Sequence, residues 1–421
     1  MRYRISIFFA ELSLKGANKK LFIKRLRQNL KRKLKAKHYD WPLKQVYDRI
    51  FIEPIDVAED EVKVLIQELC LLPGISRISL GYWFDINEDF FAKKPDLDVV
   101  VEQLLKLARD SYRQDASFAV RVKRGEKRFP LTSSDTEKYI ATEILKRTDW
   151  QKVNLKNPDQ IFYLDISSTG LVAYSNNYTA SGGLPVSTTG RVMVLMSGGF
   201  DSPTAAWLMA NRGCNIDCIH FSASHIGPQQ LKDYKVARIV QIISRYSGRV
   251  RLIVVPYTHF DMALMAQNIG YDVMLFRRFM ARVAEQYTQD INTQALVTGD
   301  NLGQVASQTL ENITALDQAV EVPILRPLLT YNKQEIIELN RQLGLYDACR
   351  EPYKDCCALI SSHPKTKTRD YILSRIEEQQ IPDYQDLIKQ SLDDRLEIVY
   401  EFGHVLKMAV TQETEKTCQS L

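Results

Sequence analysis

The chain is 421 residues long, 45% hydrophobic and 25% charged, enough for about three globular domains and too apolar for a disordered chain. It has no stretch of about 18 uncharged apolar residues and no small-residue cleavage site near its start, so neither a transmembrane helix nor a signal peptide is expected. The net charge of +5 is uneven: residues 1–40 hold 13 Lys and Arg against 2 Asp and Glu, which leaves −6 for the rest. That block suits either a polyanion-binding module or a solvated helix face.

Residues 1–60 read as strand, helix, strand, a small α+β unit. "RISIFFAEL" suits a strand entering a loop. Phe22, Leu26, Leu30 and Leu34 recur every four residues and give a helix one apolar stripe. "YDRIFIEPI" is the next strand. Residues 61–175 form a second α+β unit. Its helices are "EDEVKVLIQELCLL", "DLDVVVEQLLKLARDSY" and "SSDTEKYIATEILKR", the last with Ser and Asp as cap residues. Its strands are "ISRISLGYWFDI", "SFAVRVKRGEKRF", which runs into a basic loop, and a hairpin around Ser168, Thr169 and Gly170. Residues 176–190, rich in Gly, Ser and Thr, read as a linker. From Arg191 to Leu421 the grain changes. The strands "RVMVLM", "NIDCIHF", "RVRLIVVPY" and "QALVTGD" alternate with helices near 203–212, 229–247 and 271–289. Apolar strands separated by helices imply an α/β domain with a doubly wound parallel sheet. The region after about residue 365 reads as helical and polar.

The strongest chemical signal is "VMVLMSGGFDSPTAAWLM". An apolar strand ends at Met196, and Ser197, Gly198, Gly199, Phe200, Asp201 and Ser202 form a tight loop before a helix. Two glycines admit a close ligand. Successive backbone N–H groups at a helix N-terminus cradle an anion, and the serine hydroxyls add donors. Asp201 is placed to orient the loop or to meet a Mg²⁺ ion between phosphate oxygens. The chain has no GxxxxGK[ST] and no GxGxxG, which argues against a Walker-type NTPase and a dinucleotide fold. Seven scattered cysteines, Cys70, Cys214, Cys218, Cys349, Cys356, Cys357 and Cys418, include no CxxC pair. A disulfide framework and a structural zinc site are therefore not expected, and reduced thiols in the cytoplasm are.

"SGGFDS" after the first strand of such a domain resembles the pyrophosphate loop of ATP pyrophosphatases. "IFFAELSLKGANKKLFIKRL", "AVRVKRGEKRFPLTSSDTEKYIATEI", "ALVTGDNLGQVASQTLENI" and "DCCALISSHPKTKTR" resemble, in order along the chain, blocks of one branch, the tRNA 4-thiouridine synthetases or tRNA uracil 4-sulfurtransferases. The resemblance implies an N-terminal ferredoxin-like domain, a THUMP domain that grips tRNA, and the PP-loop pyrophosphatase domain. It implies ATP with Mg²⁺ as cofactors, uridine 8 of tRNA as substrate, a cysteine desulfurase as persulfide donor, and a homodimer.

Carried over by position, the resemblance puts Leu195 and Met196 at the ATP, with Ser197, Gly198, Gly199, Asp201 and Ser202 in the loop. His220 and Phe221 end the second strand, where a pair contacting adenine is expected. Arg277, in "MLFRRFM", matches a basic position facing phosphate, and Gly299 and Gln308 match the "TG…SQT" block. On their residue types alone, Leu195 and Met196 also fit plain core, His220 a structural histidine, and Arg277 a surface ion pair. One cysteine of "KDCC" carries the persulfide in the family. Counting back from "ISSHP" favours Cys357, with Cys356 the alternative. Nearby Lys354, His363, Lys365 and Lys367 favour a thiolate. For tRNA the resemblance and the charge clusters single out Lys15, Lys19, Lys20, Lys24 and Arg25, then Arg121, Lys123, Arg124, Lys127 and Arg128.

This chain departs from the pattern twice. Only about 50 residues follow Arg369, too few for the rhodanese domain some relatives carry. Resolution of the persulfide then falls to Cys356, Cys349, Cys418 or an external thiol, and the thiamine role tied to that domain is not carried over. Phe8, Phe9 and Ala10 stand where the first block often has a basic residue and Tyr–Gly, while Lys15, Gly16 and Asn18 match. Two other readings compete. One is a different PP-loop thiolating enzyme, which commonly shows paired CxxC spacing. The other is a non-catalytic tRNA-binding or sulfur-relay protein, which leaves the intact loop unexplained.

Overall fold

The order of strands and helices sets two sheets. The computed structural model describes residues 2–11, 18–46, 49–85, 97–168, 170–223, 226–227, 229–264, 270–353, 365–381 and 383–410. They fall into two compact units. The first runs to Gly182 apart from Ala17–Asn29 and Leu72–Gly74, which group with the second unit from Gly183 onward.

The first unit opens with β1 (Arg2–Phe9), α1 (Lys19–Ala36), β2 (Leu43–Val46), β3 (Arg49–Ile52), α2 (Glu59–Cys70) and β4 (Ile75–Phe84). The strand order β2-β3-β1-β4, antiparallel throughout, is a ferredoxin-like βαββαβ sheet. A division at residue 60 would leave one edge of β1 unpaired. The β4 strand fills that edge, pairing from Arg2↔Trp83 to Phe9↔Ile75. The stripe of α1 buries Ile23, Leu26, Leu30 and Leu34, so Ile23 takes the place expected of Phe22. Lys33 is also buried, its charge met by Glu68 at 2.7 Å.

The sheet continues through α3 (Asp98–Asp110), β5 (Ser117–Arg124), α4 (Ser133–Arg147), β6 (Lys152–Val153), β7 (Gln160–Ser167), β8 (Gly170–Tyr174) and β9 (Asn177–Gly182). Its order beyond β4 is β8-β7-β5-β6. One apolar cluster holds Leu104 and Ile144 of the two helices with Phe118, Phe162 and Trp150. The cap of α4 is Thr132, one residue earlier than expected, accepting from the Asp135 N–H at 3.1 Å. The expected linker starts late. Asn177–Gly182 is strand because β8 covers only Tyr82–Phe84 of β4, and β9 pairs with the rest, Ile75–Ser79. The expected hairpin turn includes Thr169, which lies outside the described residues.

The second unit contains β10 (Gly190–Leu195), α5 (Asp201–Asn211), β11 (Cys214–Ser222), α6 (Lys235–Ser247), β12 (Arg249–Pro256), α7 (Thr258–Leu264), α8 (Asp272–Ile291) and β13 (Ala295–Val297). Then come α9 (Leu310–Asp317), β14 (Ile324–Leu325), α10 (Lys333–Gln342), α11 (Tyr346–Arg350), the helices Asp370–Gln380 and Tyr384–Asp393, β15 (Leu396–Glu401) and β16 (His404–Val410). The order is β14-β13-β10-β11-β12-β15-β16, parallel through β12. The last two strands form an antiparallel hairpin on β12. The tail is thus not wholly helical. Leu396, Ile398 and Tyr400 bury alternate positions, and Phe402–Gly403, both at positive φ, make the turn. On one face Met193, Ile219, Phe221 and Ile253 pack with Phe276 and Phe279 of α8 and with Leu373 and Ile388. The helices α5 and α6 pack against each other and against β10, β11 and β12.

Candidate nucleotide and sulfur-transfer site

The chain leaves β10 toward β11 and leaves β13 toward β14, on opposite sides of the sheet. That is a topological switch point, and the crevice beyond the carboxyl ends of such strands is where open α/β sheets bind ligands. The loop Ser197–Phe200 fills it. The Ser202 hydroxyl accepts from the Ser197 N–H at 2.8 Å, and the Gly199 N–H donates to Ser197 Oγ at 3.3 Å. These bonds close the loop onto the first turn of α5, whose opening N–H groups have no partners within the helix. Asp201 lies in that turn, where an acid suits the helix dipole.

Gly299 makes the crevice narrow. A Cβ there would lie 2.6 Å from the Ser202 nitrogen and 2.8 Å from the Asp201 carbonyl carbon, so only glycine lets the loops after β10 and β13 touch. The resulting pocket has a volume of about 250 Å³. Leu195, Met196, Ser197, Asp201, Ser202, His220, Phe221, Arg277, Gly299 and Gln308 all line it. Gly198 and Gly199 belong to the loop without lining the pocket. The sequence expectation thus names residues the fold brings together from four separate segments.

The charges at the pocket are paired. Arg277 Nη2 donates to both Asp300 oxygens, at 2.6 and 2.8 Å, and its Nη1 donates to the Ser307 carbonyl at 2.9 Å. Arg277 is therefore a buried pocket residue and not a surface ion pair. Burial alone would push the Asp300 carboxyl up. The Arg277 charge, the Thr298 hydroxyl and Arg326 outweigh it and hold Asp300 below its ordinary value. Asp201 meets Lys333 Nζ at 2.8 and 2.9 Å. With these pairs balanced, the loop's attraction for phosphate comes from backbone N–H groups and the helix terminus. The Gln308 Oε1 atom is buried and has no hydrogen-bond partner among the described residues. It offers an acceptor to an amino group on a bound ligand.

His220 is buried, and its Nδ1 reaches the Met196 carbonyl at 2.8 Å. A carbonyl only accepts, so Nδ1 carries a proton, and Nε2 is the atom that faces the tyrosine hydroxyls. The Tyr234 and Tyr353 hydroxyls lie 2.9 and 2.8 Å from Nε2. Lys333, Asp300 and Tyr353 were not singled out from the sequence. Asp300 sat unremarked inside the "TGD" block, whereas no local pattern marks Lys333 or Tyr353.

Among the described residues no group of three or more His, Cys, Asp and Glu side chains could hold a metal ion. Mg²⁺ carried by substrate phosphates needs only one or two protein carboxylates. Asp201 is a pocket carboxylate of that kind, and in this structure it is paired with Lys333. Cys356, Cys357 and Cys418 lie outside the described residues, as do Lys15, Gly16, Lys354 and His363. Cys349 is described and buried, and burial chiefly pushes its thiol up to about 12, Lys235 opposing and Asp201 adding. It is a poor thiolate at neutral pH.

The basic residues divide by job. Lys20 and Lys24 on α1 are exposed, with Lys19 and Arg25 half-buried. Lys123, Lys127 and Arg128 are also exposed. Arg121, half-buried, donates to the Val120 and Leu155 carbonyls, and Arg124, though exposed, donates through Nη1 to those of Phe129 and Leu131 at 3.3 and 3.1 Å. These two arginines shape the loop after β5. Phe8, at the departure in the first block, lies between the Arg49 and Arg77 guanidiniums, 4.4 and 4.0 Å from its ring centre.

Residues 187–381 match the family described as Thiamine biosynthesis protein (ThiI), residues 4–79 the ThiI ferredoxin-like domain and residues 94–172 the THUMP domain. A probable tRNA sulfurtransferase of Geobacillus kaustophilus is 33% identical over 403 residues, spanning 94% of this chain and 96% of the relative. One of Brevibacillus brevis is 32% identical over 376 residues, spanning 89% of this chain and 91% of the relative. A crystal structure of a 4-thiouridine synthetase–RNA complex with bound ATP is similar at a TM-score of 0.80 and 29% identity, covering 95% of this chain and 100% of that one.

Proposed function

This chain belongs to the tRNA sulfurtransferase family, and from that premise we propose how it carries out its reaction, the ATP-dependent thiolation of tRNA. The phosphates of ATP rest on the Ser197–Ser202 loop beside Gly299. Leu195 and Met196 meet the nucleotide through their backbone, His220 and Phe221 border the adenine, and Gln308 accepts from its amino group. Arg277 lies toward the phosphates, held by Asp300. Mg²⁺ bound with ATP supplies neutralisation of phosphate charge, and Asp201 is the loop carboxylate placed to meet it.

Uridine 8 is activated first. Its O4 attacks the α-phosphorus of ATP, and pyrophosphate leaves. The terminal sulfur of a Cys357 persulfide then bonds to C4, and the C4–O4 bond breaks as AMP departs. A second thiolate attacks the Cys357 sulfur and breaks the S–S bond. The thiocarbonyl stays on the tRNA and a disulfide stays on the protein, to be reduced by an external dithiol before the next turnover. Cys356 is the alternative carrier. The buried, high-pKa thiol of Cys349 speaks against it as the resolving group, which leaves the other cysteine of the pair, Cys418 or an external thiol. A cysteine desulfurase supplies the persulfide, the protein acts as a homodimer, and the chemistry requires the reducing cytoplasm.

The observation that supports this reading most is the contact of Gly299 with the loop, with Gln308 Oε1 left unpartnered beside it. The test combines the protein with ATP, Mg²⁺, cysteine, a cysteine desulfurase and unmodified tRNA, and reads 4-thiouridine by mass spectrometry of digested tRNA. We expect thiolation in the wild type and its loss in Cys357→Ala; loss in only one of Cys357→Ala and Cys356→Ala names the carrier, and loss in both makes the pair carrier and resolving thiol. tRNA binding with neither AMP nor 4-thiouridine would sink the reading in favour of a non-catalytic binder.

A further inference from the structure

The helix Asp370–Gln380 is preceded by charges of the wrong sign. A helix N-terminus carries partial positive charge and favours acids. Here the run "KTKTR" puts Lys365, Lys367 and the N-cap residue Arg369 in front of it. Asp370, the acid of the first turn, is paired with Arg278 at 2.6 Å. Lys365 turns to the Tyr271 ring, 3.9 Å from its centre. Lys367 and Arg369 are exposed, and neither meets a carboxylate among the described residues. These two cations do nothing for the helix they precede.

Their backbone is nonetheless fixed. Asn312 Nδ2 donates to the Lys365 carbonyl at 3.0 Å, and Thr309 Oγ1 to that of Thr366 at 2.7 Å. The same Asn312 nitrogen donates to the Ala306 carbonyl at 2.9 Å. Ala306 directly precedes Ser307 and Gln308, which line the nucleotide pocket. The Arg369 carbonyl in turn accepts the Ile372 N–H at 3.1 Å. The run is thus clamped beside the nucleotide pocket, and a backbone held in advance lowers the ordering cost of binding. Next to it lies an open cavity of about 500 Å³. Leu310 and Tyr371, 62% and 63% exposed, line it together with Arg369 and Thr368. Thr368 is buried, and its Oγ1 has no hydrogen-bond partner among the described residues. Of the two carboxylates on the cavity, Asp370 is held by Arg278 and Glu311 is exposed.

We propose that Lys367, Arg369 and Tyr371 form a tRNA contact on the pyrophosphatase domain itself, which takes the RNA backbone and one unstacked base beside the nucleotide being modified. Cations without a counter-charge hold phosphate, and an exposed ring stacks a base whatever its identity. A target uridine that meets ATP in the pocket brings its neighbouring nucleotides to this edge, and the Thr368 hydroxyl offers them a further hydrogen bond. The cations expected from the sequence to hold tRNA all precede residue 130, so this contact is additional to them. It rests on the reading above that the substrate is tRNA.

The test uses the full chain and unmodified tRNA. It measures tRNA affinity by filter binding at several salt concentrations, ATP binding by equilibrium dialysis without tRNA, and 4-thiouridine by mass spectrometry. Lys367→Glu with Arg369→Glu is expected to weaken tRNA binding and to leave ATP binding unchanged. It should flatten the slope of log affinity against log salt by roughly 1.4–1.8, two contacts' worth. Acids at these positions suit the helix dipole, so the fold is kept. A misfolded fraction would lower the amount of protein that binds without changing the slope. Arg369→Lys keeps the charge and is expected to keep the slope. Tyr371→Ala should weaken binding by about fivefold or more with the slope unchanged, and Tyr371→Phe should restore it. A double reversal with the wild-type slope would overturn the proposal. A loss of ATP affinity would overturn it too, by placing the cations in the nucleotide site. So would lost thiolation with tRNA binding intact, which would give the cations to the sulfur donor. A wild type that binds no tRNA would refute the tRNA reading and this contact with it. A wild type that binds and thiolates tRNA, with variants that match it, would refute the contact alone.

Discussion

Two residues on the β13 side of the crevice carry much of its geometry. Gly299 has no room for a Cβ, because the nearest atoms are backbone and not the tip of a flexible side chain. Gly299→Ala must push the two loops apart. Loss of a near-contact fit is costly in a preorganised site, so a rise in the KM for ATP of about tenfold or more is expected, read by pyrophosphate release. Asp300 works through charge. It is buried between Arg277 and Arg326, and its carboxyl is held below the ordinary value. A carboxyl with a lowered folded pKa contributes stability that is full above its unfolded value, about 4, and is lost as pH falls through the folded one. Asp300→Asn should therefore flatten the acid limb of stability below about pH 4. At neutral pH it should cost about 3–5 kcal/mol, because the buried Arg277 loses its counter-charge, while Arg326 keeps only Asp317. Urea unfolding from pH 7 downward checks both. An unchanged acid limb would show that the pair does not hold the carboxyl ionised.

At the scale of elements, α8 shows how one helix serves two tasks. Arg277 faces the pocket, while its neighbour Arg278, 1% exposed, turns to the helix Asp370–Gln380. Arg278 pairs with Glu377 at 3.0 Å and Asp370 at 2.6 Å, and donates to the Ala315 carbonyl at 2.9 Å. Arg278→Ala leaves the buried Glu377 with Arg282 alone. A loss of about 3 kcal/mol is expected, measured by denaturant unfolding, and loosening should begin at Asp370–Gln380, measured by hydrogen exchange. The sequence "FRRF" does not say which arginine faces the pocket, since that depends on the rotation of α8 against the sheet. The legible parts were those set by local pattern. The loop after β10, the strand ends at His220 and the block around Gly299 are marked by apolar runs meeting Gly and Ser. Lys333 and Tyr353 were not legible, because each reaches the site from more than 130 residues along the chain. The strands β9, β15 and β16 were missed for another reason. What makes them strands is an open edge, of β4 for β9, of β12 for β15 and of β15 for β16, that only the folded sheet supplies.

At the scale of the whole molecule, the question is how a chain of +5 grips a polyanion. Counting basic residues overstates the answer. Arg121 and Arg124 spend their guanidiniums on backbone carbonyls of the loop they belong to, so substituting them would disturb that loop as well as its charge. Lys127 and Arg128 are exposed, and Arg128 meets the half-buried Glu126 at 3.1 Å. The arginine end of that pair faces solvent, where an ion pair gains little, so Arg128 is open to a phosphate. Both residues fall within 94–172, matched by the THUMP domain. Each phosphate contact made by a cation adds roughly 0.7–0.9 to the slope of log affinity against log salt. Lys127→Glu with Arg128→Glu should therefore weaken tRNA binding and flatten that slope by roughly 1.4–1.8, measured by filter binding at several salt concentrations. Arg124→Ala makes the contrast, since lost loop shape weakens binding with a slope changed by less than one contact's worth. If the double reversal left the slope untouched, the exposed end of this loop would not touch phosphate. The basic block of residues 1–40, with Lys367 and Arg369, would then have to supply the salt-dependent grip.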